Sequence, residues 1–473
     1  MIRRLTHCLA PLCWMLALAL VVPASAGPAL DWDRVTQETL QHLQALIRID
    51  TTNPPGNELA AARYLQEVLA REGIRSELIE TAPGRGALVA RLEASEPAPG
   101  EPLLLLGHLD VVGVRREEWA VAPFAAVVQE GAVWGRGALD DKGMVAAELM
   151  TLLLLKRQGV PLVRDVIFLA EGDEEGGGTY GMDALVEHHF EKFRARYALN
   201  EGGRILEEDG GVVFVGIQNS EKVSHNVTVV ARGPSGHASL PHPENPIVRL
   251  SVALAKIAAY RAPAQLTPAT HLFFRNLARS QNGETAAWMR RLSDPARRQQ
   301  AADELSGRSL HWNALLRNTI SPTLVEGGIR TNVIPGEARA NLNVRLLPGE
   351  SLAALVQTLE ELVDDPHIEF VYEENPGSEA PAAPLEGEFF LALARVAAEM
   401  FPEAVVTPYM HQAATDSGPL RARGVEAYGL LIFPITADEL LLLHSSNEHL
   451  RLRSLRRGTE FLYRVVREFA GAP

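Results

Sequence analysis

Pro102 to Leu106 is almost wholly apolar, and so is Val166 to Ala170. Strands of that kind are buried on both faces, which is the situation in a parallel sheet covered by helices. The surrounding chain agrees. Ala87 to Leu92, Asp165 to Ala170 and Tyr197 to Leu199 read as strands, and Lys142 to Lys156 and Tyr180 to His188 read as helices between them. Two further helices, Asp31 to Ile49 and Glu58 to Arg71, flank the breaker Asn53-Pro54-Pro55-Gly56-Asn57. Alternation of this sort predicts an α/β fold, a mostly parallel sheet with helices on its faces.

The pattern changes near Lys222. Val223 to Arg232 and Ala338 to Leu346 alternate polar and apolar residues, as strands exposed on one face do, and Ile368 to Tyr372 is a third strand. Helices at Pro246 to Tyr260 and Ser351 to Leu362 separate them, which predicts an inserted two-layer α+β domain over residues 222–376. Within it, Leu266 to Pro322 is polar, Arg-rich and weakly patterned, and reads as a further insertion without assignable helices. Glu374 to Pro381 is linker-like in composition. Residues 27–221 and 377–473 then form the two parts of one α/β domain, the second ending in a helix from Ser454 to Phe469.

At the start, Arg3 and Arg4 precede an apolar stretch from Leu12 to Val22, and Ala24-Ser25-Ala26 supplies small residues for cleavage. This predicts a signal peptide over residues 1–26 and an exported protein, periplasmic or secreted. Pro11 and Pro23 break the stretch, so no stable membrane anchor is expected. Cys8 and Cys13 are the only cysteines and both fall in this segment. A mature chain without thiols must bind any metal through His and carboxylate, which excludes zinc fingers and thiol catalysis. The net charge of −14 argues against nucleic acid as a partner.

Five acidic or histidine-bearing segments fall just after runs read as strands of the α/β domain, where loops gather ligands. His108 and Asp110 in Gly107-His108-Leu109-Asp110-Val111 share a face. One can bind a metal while the other orients it, although such a pair alone is more often a plain polar contact. Asp140 lies in Gly135-Arg136-Gly137-Ala138-Leu139-Asp140-Asp141-Lys142-Gly143 at a helix start, where a capping role would also account for it. Glu174 and Glu175 lie in Glu171-Gly172-Asp173-Glu174-Glu175-Gly176, a cluster whose mutual repulsion calls for cations unless it is a solvated turn. Glu201 follows the strand Tyr197 to Leu199, and His444 follows Glu439 to Leu443.

The order and wording of these segments resemble the di-zinc exopeptidases and amidohydrolases that include aminoacylase, carboxypeptidase S, glutamate carboxypeptidase and succinyl-diaminopimelate desuccinylase. The resemblance runs over nearly the whole mature chain. It implies that Asp140 bridges two zinc ions, with cobalt or manganese as alternatives. His108 and Glu201 would complete one site, and Glu175 and His444 the other. It further implies Glu174 as general base, Asp110 as the group orienting His108, and a cis peptide between Asp140 and Asp141. Three carboxylates and two imidazoles suit zinc and its neighbours better than calcium or magnesium.

The resemblance also gives the inserted domain a lid and dimerisation role, and with it a homodimer. His237, in Gly233-Pro234-Ser235-Gly236-His237, would stabilise the oxyanion, often from across a dimer. Asn332, in Gly328-Ile329-Arg330-Thr331-Asn332, would contact substrate, and Arg345 could clamp a carboxylate. An Arg often found after Thr415-Asp416-Ser417 is Gly418 here. His411 precedes this segment and could face the site, with a surface role as the default, and His449 is a weaker rival to His444. The implied activity is hydrolysis of an amide next to a free carboxylate. Dipeptidase or carboxypeptidase-like action on short peptides comes first, and N-acyl amino acid hydrolysis is the alternative. A catalytically inactive binding protein is an outside alternative, against which the presence of Glu174 and all five ligands argues.

Overall fold

The computed structural model describes residues 30–95, 100–373 and 380–472. The expected signal peptide and residues 374–379 of the expected linker lie outside these.

The first sheet has eight strands. In spatial order they are Ser76–Ala82, Arg85–Leu92, Val166–Glu171, Leu103–His108, Tyr197–Glu208, Glu426–Ile435, Gly211–Glu221 and Val405–His411. Its centre is parallel: Leu103–His108 runs alongside Val166–Glu171 and Tyr197–Glu208, and Glu426–Ile435 joins the latter. Antiparallel pairings lie towards both margins. Leu104 and Leu106 pack with Ile167, Leu169, Met182 and Leu185 on one face. Leu103 and Leu105 point the other way and are also fully buried. Burial on both faces is why this strand reads as an unbroken apolar run. Lys142–Arg157 is buried around nearly its whole circumference, packed against the helices Trp32–Arg48 and Leu452–Ala470.

The second sheet has four antiparallel strands in the order Thr319–Gly327, Glu337–Leu346, Val223–Arg232, Ile368–Tyr372. Val227, Val229, Ala340, Leu342 and Val344 face the helices Pro246–Ala259 and Leu352–Val363 and form one core with them. The side chains of Asn245 and Ser351 cap these helices, and Pro246 occupies the first turn, where its missing N–H costs nothing.

Several elements differ from the sequence reading. Tyr197 to Leu199 continues as a strand to Glu208 and returns as Gly211–Glu221 through a turn at Asp209 and Gly210, both with positive φ. Gly202 and Gly203 read as a strand end, yet they sit where strands approach closely: a Cβ on Gly203 would lie 2.2 Å from the Gly216 carbonyl oxygen. Thr319–Gly327 is an edge strand whose first residues had been assigned to the insertion. The apolar run Glu439 to Leu443 is not a strand. Ala437–Leu440 is a helical turn fixed by a capping box between Thr436 and Glu439.

The insertion contains four short helices, Pro268–Leu277, Gly283–Arg291, Arg298–Arg308 and Leu310–Leu316. Their apolar faces are narrow, which hid their period. They pack on Phe214, Tyr409 and Met410 of the first sheet, so they cover its outer strand Val405–His411. Among the described residues no helix is long and apolar enough to cross a membrane.

Candidate metal centre

His108 is the last residue of the central strand, and its register partner is Glu171, at the end of the neighbouring strand. Parallel register therefore brings the 108–110 and 172–175 turns out side by side. The His108 Nδ1–H donates to the Asp110 main-chain carbonyl at 3.0 Å. A carbonyl only accepts, so the proton is on Nδ1. Nε2 then faces Asp140 Oδ1 at 3.0 Å, an approach that requires a proton or a cation between the two atoms.

Asp110 thus holds His108 chiefly with its main chain. Its carboxylate is 3.4 Å from Nδ1 and accepts from Asn53 Nδ2 at 2.8 Å and from the amides of Glu174 and Glu175 at 3.2 and 3.1 Å. It ties the histidine-bearing turn to the glutamate-bearing one. Asn53 also donates to Asp173 at 2.9 Å. Arg85 bridges Asp173 and the buried Glu58.

Asp140 precedes the helix Lys142–Arg157, whose N-cap is Asp141 with no side-chain cap bond, so capping does not account for it. The Asp140-Asp141 peptide is cis. The two carboxylate oxygens of Asp140 serve different imidazoles: Oδ1 that of His108, and Oδ2 that of His444, whose Nε2 is 3.1 Å away. His444 Nε2 is also 3.1 Å from Glu175 Oε1, but that oxygen, buried, has no aligned hydrogen bond. Glu201 lies within its long strand rather than after one. Two donor groups result, His108 with Asp140 and Glu201, and Asp140 with Glu175 and His444. Within each, the ligand atoms lie within 4.8 Å of one another.

Glu448 holds this arrangement from behind. It is fully buried. Oε1 accepts from the Leu139 and Asp140 amides at 2.7 and 3.1 Å, and Oε2 accepts from Arg136 Nη1 at 2.6 Å and the Gly137 amide at 3.1 Å. Arg136 also donates to the His444 carbonyl at 3.1 Å. One carboxylate–guanidinium pair therefore fixes both the Asp140 loop and the His444 loop.

The electrostatics fit a cationic occupant. Burial, with the charges of Asp140 and Glu174, pushes Glu201 well above the usual carboxylate range. Burial, with Asp416 and Glu175 nearby, does the same to Glu174. Burial disfavours charge on His108, but the carboxylates of Asp110 and Asp140 overcome it and hold the ring well above its ordinary value. Asp140 and Glu175 raise His444 to about 10. Burial would also raise Asp140, but the two imidazoles outweigh it and keep it ionised. Two groups of oxygen and imidazole donors that converge on one shared carboxylate are the kind of set that holds two divalent cations.

Other residues distribute differently. His411, read by default as a surface residue, lines the cavity with Asp140, Glu174, Glu175, Glu201 and His444. Burial, then the Arg204 charge, pushes it down to about 3. His449 stacks on Trp134 with 4.4 Å between ring centroids and belongs to neither donor group. His237 and Asn332 do not line the cavity. They are exposed at a separate two-stranded pairing of Gly236–His237 with Val333–Ile334, which leads into strands of the second sheet, and there the Ala238 amide donates to the Asn332 carbonyl. Arg345 is half-buried on the polar side of that sheet and donates to Asn343 at 3.0 Å. Gly418 has a steric reason: a Cβ there would sit 2.7 Å from Glu221 Oε1, which Arg421 already pairs at 2.8 Å. Asn53 and Glu448 had drawn no functional reading. Asn53 sits in a turn breaker, and Glu448 follows His444 with no pattern of its own to mark it.

A shared-carboxylate donor set at the strand ends of a helix-covered α/β sheet defines a metal-dependent hydrolase. The chain belongs to peptidase family M20/M25/M40, whose model matches residues 104–468. It is 26% identical over 385 residues to the human N-fatty-acyl-amino acid synthase/hydrolase, covering 79% of this chain and 75% of that one. Rat aminoacylase-1B is 27% identical over 455 residues, 95% of this chain and 98% of its own. The fold resembles that of an M20 family metallo-carboxypeptidase from Sulfolobus solfataricus, with TM-score 0.68 and 19% identity over 91% of this chain and 98% of that one. It also resembles a dinuclear metal-binding M20 peptidase from Bacillus subtilis, with TM-score 0.59 and 14% identity over 92% and 98%.

Metal binding should release protons. His444 is raised to about 10 and so carries a proton at pH 7 in the metal-free protein, while neighbouring carboxylates favour the protonated form of His108 and burial that of Glu201, so ligation should expel protons. Calorimetric titration of metal-free protein with zinc should give heats that vary with the buffer's ionisation enthalpy; heats independent of buffer contradict the assignment.

Proposed function

We propose that this chain hydrolyses an amide bond whose nitrogen side carries a free carboxylate, with two zinc ions as the native metals. The observation that carries this reading is the sharing of Asp140 between two imidazoles, with Glu174 in the same cavity of about 260 Å³. His108, Asp140 and Glu201 would hold one cation, and Asp140, Glu175 and His444 the other. When bound, the pair supplies Lewis acidity to a water and to the scissile carbonyl.

The chain's own residues do the proton work. Burial favours the neutral form of Glu174, so its carboxylate readily takes a proton from the attacking water. It then delivers that proton to the leaving nitrogen as the C–N bond breaks and the new C–O bond stands. Asp110 positions Glu174 by accepting from its amide. Arg345 would draw the substrate carboxylate, and its charge already acts on His411 in the cavity wall. Asn332 would contact the substrate from the lid.

Both short peptides and N-acyl amino acids carry this bond. The aminoacylase relatives, which align with nearly the whole chain, favour the acylated amino acid. Replacement Glu174→Gln should keep two metals per chain by elemental analysis while kcat falls about 10²–10⁴-fold on N-acetyl amino acids or dipeptides. A variant that retains turnover sinks Glu174 as the base. Wild-type protein that is metal-loaded and binds such compounds without cleaving them favours the inactive binding protein instead.

We further propose a homodimer through the second sheet, which would bring His237 of one copy to the cavity of the other as oxyanion donor. Its support is an exposed apolar face: Ile247, Val248 and Val252 on one helix, Leu324 and Val325 on the edge strand beside it. Light scattering should give twice the chain mass, and Val325→Lys should shift the protein to monomer with reduced kcat. A fully active wild-type monomer excludes the dimer.

Export is proposed from Arg3, Arg4 and the apolar stretch behind them. Fractionation and amino-terminal sequencing should find an exported chain beginning near Gly27, and a cytoplasmic chain retaining Met1 contradicts it.

A further inference from the structure

Glu201 and Arg204 stand three apart on the strand Tyr197–Glu208, and in a regular strand such residues point to opposite faces. Here both line the catalytic cavity. The reason lies in the register with the parallel neighbour Glu426–Ile435. Asn200 is opposite Gly429 and Arg204 opposite Leu431, so Glu201, Gly202 and Gly203 are opposed by Leu430 alone. A bulge of this kind re-aims the side chain that follows it. Glycine makes room for it on both strands. Gly202 has φ +121°, a Cβ on it would sit 1.9 Å from Gln218 Oε1, and one on Gly429 would sit 2.2 Å from the Glu201 carbonyl oxygen.

Arg204 is thereby the one arginine or lysine among the described residues that line the cavity. Its mount is fixed. The guanidinium rests 4.8 Å from the centroid of the Tyr409 ring and donates through Nη2 to the Tyr409 hydroxyl. That hydroxyl donates in turn to Gln412 Oε1 at 3.0 Å, and Gln412 Nε2 donates to the Met410 carbonyl at 2.8 Å. The proton of the hydroxyl is thus committed, and its lone pair is left for Arg204. Among the described residues Nη1 makes no hydrogen bond, Nε is buried without a partner, and no carboxylate pairs with the group. Asp140, Glu174, Glu175 and Glu201 serve the cations and the proton transfer. Glu208 and Glu403, which line a second cavity of about 400 Å³ with Arg204, form no ion pair with it.

A half-buried cation without a counter-ion is costly, and a site that keeps one is suited to receive an anion. Burial first, and then the Arg204 charge, push His411 and His311 down to about 3. Both rings are neutral at pH 7, which leaves the guanidinium as the fixed positive charge on that side. Arg345 lines neither cavity. We infer that Arg204 is the residue that selects the substrate: it receives the free carboxylate while the scissile amide lies at the metal donors, so that carboxylate recognition is complete within the catalytic domain of one chain. The inference rests on the amide-hydrolase reading above and names the group that reads its substrate. Arg345 would draw the carboxylate in from the lid, and Arg204 holds it. One small molecule can reach both ends, since three strand steps from Glu201 to Arg204 span at most about 11 Å.

The test compares N-acetyl-leucine with N-(3-methylbutyl)acetamide, the same amide without the carboxylate, in metal-loaded wild type, Arg204→Met, Arg204→Lys and Arg345→Met. Where dipeptides turn over faster, leucyl-leucine and the 3-methylbutylamide of leucine replace them. Wild type should favour the carboxylate in kcat/KM by about 10- to 100-fold, and Arg204→Met should abolish most of that preference, chiefly through KM. Arg204→Lys should restore part of it, because the charge returns without the planar fork. Arg345→Met should lower it less than Arg204→Met does, and elemental analysis should find two metals per chain in every variant. Loss of metal from Arg204→Met, or a fall of equal size on both compounds, makes Arg204 structural and overturns the inference. So does a wild type without preference, or a preference that Arg204→Met leaves intact or Arg345→Met lowers more. If wild type cleaves none of the four compounds, the amide-hydrolase reading fails. Calorimetric titration of metal-loaded protein with N-acetyl-leucine then still decides the role of Arg204: binding lost in Arg204→Met supports it, and binding that persists there, or none to wild type, refutes it.

Discussion

Crowded carboxylates are the constraint on which this molecule turns. Asp110, Asp140, Asp141, Glu174, Glu175 and Glu201 meet at the ends of three adjoining strands, much of their surface removed from water. Like charges so placed cannot all ionise without compensation. The fold supplies compensation in layers. Imidazoles face Asp140 from both sides, turn amides and Asn53 serve Asp110, and Arg85 serves Asp173 and Glu58. The Arg136–Glu448 pair is the deepest layer, since Glu448 accepts from the amide of Asp140 itself. What protein groups leave uncompensated, a pair of cations would complete. Folding the site and loading it are on this view coupled steps.

The parts of this arrangement that follow from local chemistry were legible in the sequence. His108, Asp140, Glu174, Glu175, Glu201 and His444 stand out only jointly, as ligand types after runs read as strands, and it was the family resemblance that gave them roles. The parallel centre of the first sheet is legible too, because strands buried on both faces cannot alternate. The strands Val223–Arg232 and Ile368–Tyr372 have the bounds that their side-chain alternation predicts. What escaped depends on contacts between distant segments. Glu448 reads as one more acidic residue until the 135–140 loop is folded against it. Asn53 reads as a breaker until it bridges two aspartates. The strand read as ending at Leu199 runs on to Glu208, and Gly202 and Gly203 within it permit close passage of neighbouring backbones.

The expectation for Asp110 shows how residue type can be right while the atom is wrong. A carboxylate next to a histidine suggests a carboxylate–imidazole bond, but a two-residue spacing brings the main-chain carbonyl closer to Nδ1 than the side chain. The carboxylate is thereby released for the amides of the next turn. Two ligand-bearing segments are locked together by one residue, so the distance between His108 and Glu174 is set by backbone hydrogen bonds rather than by side-chain packing. Amide donors cannot change rotamer, which makes them a stiffer mount for a general base.

A sheet whose outer strand is Val405–His411 exposes a row of unpaired backbone groups, an edge that proteins commonly cover. Here four short helices cover it, and the aromatic residues that seat them, Phe214, Phe273 and Tyr409, cannot close every gap. The gap that remains borders the catalytic cavity because the same strand ends at His411, which lines that cavity.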